Sequence, residues 1–185
     1  MATKHRCAWC EKDDLYRDYH DNEWGKPVYD DETIFEFLIL ETFQAGLSWY
    51  TVLAKRENFR KAFDNFDLLK VANYSEEKMA TLAEDTGIIR NKLKIKATVT
   101  NAQAFIKVQE EFGTFSKYIW GFVDGKPIDN KPKTLSEVKA TTPISDALSK
   151  DLKKRGFKFV GPTTCYAFMQ AVGMVNDHEN HCHFK

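Results

Sequence analysis

Residues 34–50 read Ile34-Phe35-Glu36-Phe37-Leu38-Ile39-Leu40-Glu41-Thr42-Phe43-Gln44-Ala45-Gly46-Leu47-Ser48-Trp49-Tyr50. The apolar positions recur at helical period, so a helix is predicted from an N-cap at Asp30 or Asp31 to about Phe43. Acids in its first turn suit the helix dipole. Gly46 then breaks the helix, Leu47 follows, and Trp49 opens the next one. Glu41 is the odd residue. A carboxylate in an apolar wall is costly unless a cation or a hydrogen bond meets it. An acid beside a large aromatic ring is also what a flat, cationic ligand would need.

Outward from this stretch the chain reads as all-α. A short helix is expected near Asp13–His20, and a longer one from Trp49 to Phe63. Asp67–Ala72 forms a third in this region, and Ser75 caps a fourth that runs to Asp85. Thr86-Gly87-Ile88-Ile89-Arg90-Asn91 interrupts the pattern, which resumes from Lys92 to Phe112. Helix, six-residue hairpin and helix make a recognisable unit. Phe115–Val123 is a short aromatic segment, and 124–142 reads as a loop opened by Asp124-Gly125-Lys126-Pro127. Ser145 is expected to cap a helix ended by Gly156, and Pro162 to open a last helix to about Val175. No period-2 pattern of any length predicts a strand.

The 185 residues carry zero net charge and 14% aromatic residues. Zero net charge alone argues against a nucleic-acid binder. Its distribution points the other way: residues 11–41 hold eleven acids against three bases, while 90–96 and 150–155 are basic. Such asymmetry can give one positive face. Glu36 and Glu41 cut the longest apolar run well short of a membrane span, so no membrane partner is expected. The opening Met1-Ala2-Thr3-Lys4-His5-Arg6 leads into no apolar core, and a cytoplasmic, reducing compartment is expected. Cys7, Cys10, Cys165 and Cys182 then read as metal ligands or buried thiols rather than disulfides.

His178 and Cys182 are spaced i, i+4. With Cys7 and His20 from the far end of the chain they make Cys2His2, the ligand set of a closed structural zinc site. Such a site would pin the two termini together and order a turn-rich opening. Cys10, His5, His181 and His183 compete for the same role.

Several motifs converge here: Tyr19-His20-Asp21-Asn22-Glu23-Trp24-Gly25, Gln44-Ala45-Gly46-Leu47-Ser48-Trp49, Val52 to Asn58, Gly87-Ile88-Ile89-Arg90, Ser145 to Lys150, Lys153 to Gly161, and Val175-Asn176-Asp177-His178. Across essentially its whole length the chain resembles the type I (constitutive) 3-methyladenine DNA glycosylases of the helix-hairpin-helix superfamily. The resemblance implies an all-α helix-hairpin-helix glycosylase fold, with residues 49–144 as the hairpin half. Residues 1–48 and 145–185 would form the zinc-bearing half, with a cleft between. The zinc ligands of the family fall on Cys7, His20, His178 and Cys182, one structural Zn2+ per chain. One departure is Ile89, which stands where the wider superfamily has a second hairpin glycine. The type I class also lacks the superfamily's catalytic Asp, so Asp124 and Asp129 read as turn residues.

The implied partner is double-stranded DNA with an alkylated adenine, bound by a monomer that flips the nucleotide out of the stack. The hairpin around Gly87 and Ile88 would meet a phosphate, with Lys92 and Lys94 adding charge. Leu47 would wedge into the gap left by the flipped base. Glu41 would pair with the cationic base, Trp49 would stack on it, and Tyr19, Trp9 and Tyr16 would line the pocket. The lesion is already a good leaving group, so hydrolysis of the N-glycosyl bond needs no strong general acid. Two alternatives stand beside this monofunctional enzyme. One is a glycosylase with lyase activity, which needs a lysine of depressed pKa that nothing in the basic clusters buries. The other is a zinc-stabilised DNA-binding module without catalysis.

Overall fold

All but one of the α-helix starts carry a local signal, the exception being the helix Arg56–Ala62. In the computed structural model, which describes residues 3–185, α1 (Asp14–Asn22) is capped by Asp13, whose carboxylate accepts the Tyr16 N–H. Asp30 caps α2 (Asp31–Gln44) through the Thr33 N–H. Ser48 caps α3 (Trp49–Ala54), and α4 (Arg56–Ala62) follows directly. Asp67, Ser75, Asn91 and Thr114 cap α5 (Leu68–Ala72), α6 (Glu76–Glu84), α7 (Lys92–Phe112) and α8 (Phe115–Trp120). α9 (Pro143–Lys154) and α10 (Pro162–Ala171) both open with proline, whose missing N–H is not needed in a first turn. Met1 and Ala2 of the predicted leaderless opening lie outside the described residues.

The structure departs from the sequence reading in three places. The predicted helix Trp49–Phe63 is broken at Lys55. Beyond the break, Arg56 reaches Glu23 at 2.7 Å and Arg60 reaches Glu36 at 2.7 Å, so α4 is aimed by ion pairs to distant segments. Ser145 is not the cap of α9. Thr142 is, and Ser145 is its partner in a capping box that starts the helix three residues earlier. The last helix ends at Ala171, not Val175. Val175–Asn176 (β2) instead pairs in parallel with Ile128–Asp129 (β1), a bridge of two residues. Gly173 turns the chain between α10 and β2 with φ +74, and a Cβ there would meet the Lys26 carbonyl carbon at 2.3 Å. Only glycine allows that approach.

α2 is the centre of the molecule. It packs on α3, α7, α8 and α10, and Ile34, Phe35, Leu38, Ile39, Leu40 and Phe43 are each at most 1% exposed. Both chain ends lie together: the His183 N–H donates to the His5 carbonyl at 2.9 Å, and the His5 N–H donates to His183 Nδ1 at 2.9 Å. No helix among the described residues is long and apolar enough to cross a membrane.

Candidate active site

The last full turn of α2 carries Glu41 to the wall of a cavity of about 280 Å³. That is near the lower end of ligand pockets, about 300–1,000 Å³, and suits one small heterocycle. Every residue to which the sequence reading gives a base-binding role lines it: Glu41, Tyr19, Trp49, Trp9 and Tyr16. Tyr19 and Trp49 lie with ring centroids 5.3 Å apart, and Trp9 meets Tyr16 at 4.8 Å and Trp24 at 4.9 Å. The wall is thus mostly ring faces and edges.

Glu41 is 3% exposed. Burial pushes its carboxyl well above the usual carboxylate range. Burial and the Glu41 carboxyl likewise hold the Tyr19 hydroxyl well above its ordinary value. Among the described residues, three buried side-chain polar atoms lack a hydrogen-bond partner: Glu41 Oε2, Gln44 Oε1 and Trp49 Nε1. All three residues line this cavity. Buried polar groups are nearly always paired, and an unpaired one costs about 1–3 kcal/mol. Two acceptors and one donor gathered on one wall are what a nitrogen heterocycle with both donors and acceptors would complete.

The sequence reading gives no site role to Gln44, nor to Trp24, Gln170 and Asp177, which line the same space. Asp177 is 2% exposed and fully met: it accepts from Tyr166 at 2.5 Å, Asn130 at 2.7 Å and Gln170 at 2.9 Å. It ties β1 and β2 to α10 below the cavity. Leu135, Val138 and Lys139 close another side, so the predicted loop 124–142 supplies a wall. Polar loops carry no periodicity that would reveal this.

Beyond α2, Gly46 takes φ +80 with open space around it, and Leu47 is 43% exposed on the bend. The bend is held from α7. Lys94 is 5% exposed, and its ammonium donates to the Phe43 carbonyl at 2.8 Å and the Ala45 carbonyl at 2.6 Å. Burial lowers its pKa. This corrects two sequence readings: Lys94 is not on the surface to meet a phosphate, and one lysine is in fact buried. It caps the C-terminal carbonyls of α2 instead. Lys92 is exposed at the start of α7.

In the segment 86–91, Ile88 is 3% exposed, so only its backbone is available to a partner. The Gly87 N–H donates to Asp85 Oδ1 at 2.8 Å, and the Gly87 carbonyl accepts from Asn58 at 3.1 Å. The Ile89 and Arg90 N–H groups have no acceptor among the described residues.

On the far side of the cavity, donor atoms of Cys7, His20 and Cys182 lie within 4.8 Å of one another, all buried. Cys182 Sγ is 3.6 Å from His20 Nε2. The Glu179 N–H donates to Cys7 Sγ at 3.3 Å and the Phe184 N–H to Cys182 Sγ at 3.4 Å. His20 Nδ1 is 2.7 Å from Asp21, which Arg6 holds at 2.8 Å. Two thiols and an imidazole whose other nitrogen meets a carboxylate could hold a metal ion. Burial, with Cys182 adding to it, pushes the Cys7 thiol up to about 12, so a thiolate here needs a positive partner. His178 stands beside the three rather than among them. Its ring centroid is 4.8 Å from that of His20, and its Nε2 faces the His20 carbonyl at 3.3 Å. Cys10 turns away, with Sγ on the Cys7 carbonyl at 3.2 Å.

The chain is similar to known proteins over nearly its whole length. The methyladenine glycosylase family model matches residues 9–185. The DNA-3-methyladenine glycosylase 1 of Escherichia coli (strain K12) is 52% identical over 177 residues, 96% of this chain and 95% of that protein. A crystal structure of 3-methyladenine DNA glycosylase I superposes with a TM-score of 0.93 at 50% identity, covering 97% of this chain and 98% of the other. A crystal structure of the Y16F variant of another 3-methyladenine DNA glycosylase I, in complex with 3-methyladenine, superposes with a TM-score of 0.94 at 38% identity over 97% of each chain. An aromatic cavity around a buried, unpaired acid thus lies within a chain that belongs, over nearly its full length, to the methyladenine glycosylase family.

Proposed function

We propose that this protein is a monofunctional DNA glycosylase that hydrolyses the N-glycosyl bond of 3-methyladenine in alkylated double-stranded DNA. The observation that carries the reading is the set of unpaired polar atoms on Glu41, Gln44 and Trp49, buried in a ring-lined cavity. Methylation makes the flipped adenine cationic. Glu41 meets that charge where no protein cation does, and Trp49 and Tyr19 offer ring faces to it. Neutral adenine gains neither the charge pairing nor the cation–π contact, worth on the order of 2 kcal/mol when desolvated. The base then departs as a neutral molecule with the bonding electron pair, its positive charge passes to the sugar carbon, and water adds there and gives up a proton to solvent.

In this reading the turn between α6 and α7 is the hairpin of a helix-hairpin-helix unit, and residues 49–144 form that half. Residues 1–48 and 145–185 form the other, held by one structural zinc. Cys7, His20, His178 and Cys182 would hold it, and zinc would supply the positive charge two buried thiolates need. The protein works as a cytoplasmic monomer. Leu47 fills the space the base leaves, so Leu47→Ala is expected to slow release from duplex DNA roughly tenfold while leaving single-stranded substrate little affected. Incubation with methylated DNA tests the whole reading. Free 3-methyladenine should appear in the supernatant without strand nicking. DNA binding without base release would support a non-catalytic module, and nicking would support a lyase.

Lys94 bears on the lyase alternative. A Schiff-base lysine must reach the sugar, but the Lys94 ammonium is held by two carbonyls and does not line the cavity. Its effect is on the bend. Lys94→Met keeps the stem and removes the donors, and is expected to lower kcat on duplex DNA roughly tenfold or more. Affinity for free 3-methyladenine, measured by calorimetry, should hold, because the base needs the cavity and not the bend.

A further inference from the structure

The tip Phe157–Gly161 is held more firmly than a connecting loop requires. Asn101 is fully buried and grips the Lys158 backbone at both ends, donating to its carbonyl at 3.1 Å and accepting its N–H at 2.8 Å. Ser149 donates to the Val160 carbonyl at 2.6 Å. Phe157 and Val160 are buried at 2% and 1%, yet Phe159 between them is 36% exposed with φ +57. A non-glycine residue in the left-handed region is strained, and such strain persists where the surroundings over-determine it. Here the result is an aromatic ring kept in solvent.

Phe159 shares an open groove with Leu93, which is 71% exposed. Lys96 and Lys158 flank it, and no acid lines it. The groove adjoins both features assigned to DNA. Leu93 follows Lys92 at the end of the hairpin, and the Phe159 ring centroid is 5.9 Å from the same Lys94 ammonium that holds the Ala45 carbonyl of the Leu47 bend. We infer that Phe159 and Leu93, flanked by Lys96 and Lys158, form a further contact with the DNA duplex beside the wedge. The rings and methyls pack on base or sugar edges, and the lysines meet the phosphates. A positive, partly aromatic strip continuous with the hairpin fits a polyanion with stacking surfaces better than it fits a second neutral copy of this chain. The inference rests on the glycosylase reading.

The test uses the full-length protein and a duplex holding a tetrahydrofuran abasic analogue. Phe159→Asn removes the ring while tolerating the left-handed backbone. It is expected to weaken duplex binding roughly tenfold, as loss of one stacking contact does, with affinity for free 3-methyladenine unchanged. The exposed pair Lys96→Gln with Lys158→Gln, which cannot disturb the core, should reduce the slope of log K against log salt by about 2. That pair carries the test if Phe159→Asn fails to fold. Unchanged duplex affinity and salt slope in an active protein overturn this surface alone. A wild-type dimer that these substitutions dissociate overturns it too, in favour of a second copy. A wild-type protein that releases no methylated base overturns the glycosylase reading and the surface with it.

Discussion

Replacing Glu41 by Gln is expected to cut kcat/KM for 3-methyladenine release from DNA roughly 10- to 100-fold and, at the same time, to make the protein more stable. The first effect follows from what the carboxylate meets. A hydrogen bond to a charged partner is worth about 1.5–3 kcal/mol, and each 1.36 kcal/mol is a factor of ten in rate. Selectivity for the cationic base over neutral adenine should shrink by a similar factor. The second effect follows from what the carboxylate lacks. Glu41 is buried with one oxygen unpaired and no cation beside it in the free protein. Gln removes the charge at nearly constant shape, a gain on the order of 1–2 kcal/mol, or roughly 2–8 °C in a domain of this size. The pH dependence has a definite sign. Burial raises the folded-state pKa above the ordinary 4.5, so the folded protein binds more protons than the unfolded one. Stability associated with Glu41 is therefore full below 4.5 and is lost as pH rises through the folded value. Scanning calorimetry should show the Glu41→Gln advantage at neutral pH and little of it below 4.5. Wild-type activity and selectivity in this variant would remove Glu41 from its assigned role.

The same residue shows what a sequence can and cannot reveal. Glu41 stands out because it interrupts a helical run of Ile, Leu and Phe, so its burial follows from periodicity alone. Its neighbour Gln44 gives no such signal. A glutamine in the last turn of a helix is ordinary, and only the fold shows its oxygen buried without a donor. Caps show the same division. Asp30, Asp67 and Ser75 precede apolar helices and were read correctly or nearly so, because an N-cap bond spans three residues. Thr142 lost to Ser145 in the sequence reading because both are cap residues and a capping box uses both. The break at Lys55 has no glycine or proline to announce it; beyond it Arg56 and Arg60 pair with Glu23 and Glu36, 33 and 24 residues from them. Lys94 was read as a surface charge because α7 opens with alternating lysines. Its burial depends on carbonyls at the end of α2. What was legible is what the chain decides within one or two turns. What was not are partners brought by topology, and the loop wall at 135–139 is of the same kind.

Exchanging Cys182 for Ser is expected to remove bound zinc from the purified protein and lower its melting temperature by roughly 10 °C or more. A structural zinc contributes its binding free energy to folding, about 10–16 kcal/mol in isolated fingers. Even 5 kcal/mol of this is about 10–20 °C for a chain of this length. The residues before α1 show why the loss should be large. Thr3, Lys4 and His5 are exposed, and the segment is held by buried Cys7 and Cys10, by Arg6 on Asp21, by Trp9 on the core and by its backbone pairing to His183. A metal held by Cys7 and Cys182 would tie these two terminal segments directly to each other. Controls separate this from any cysteine loss. Cys10 directs its sulfur to a carbonyl outside the three-donor group, and His181 is half-exposed and paired with Glu179 at 3.0 Å. Cys10→Ser and His181→Ala should each keep one zinc per chain by elemental analysis. His178→Ala should lose it, although His178 faces a carbonyl here, because three donors leave a structural tetrahedron incomplete. The cavity should respond as well, since Cys7 and Glu179 line it while Glu179 donates to the Cys7 sulfur. Loss of zinc would therefore weaken free 3-methyladenine binding, an effect that Lys94→Met should not share. A Cys182→Ser protein with full zinc and unchanged melting would place the metal, if any, elsewhere and leave the two thiols as packing.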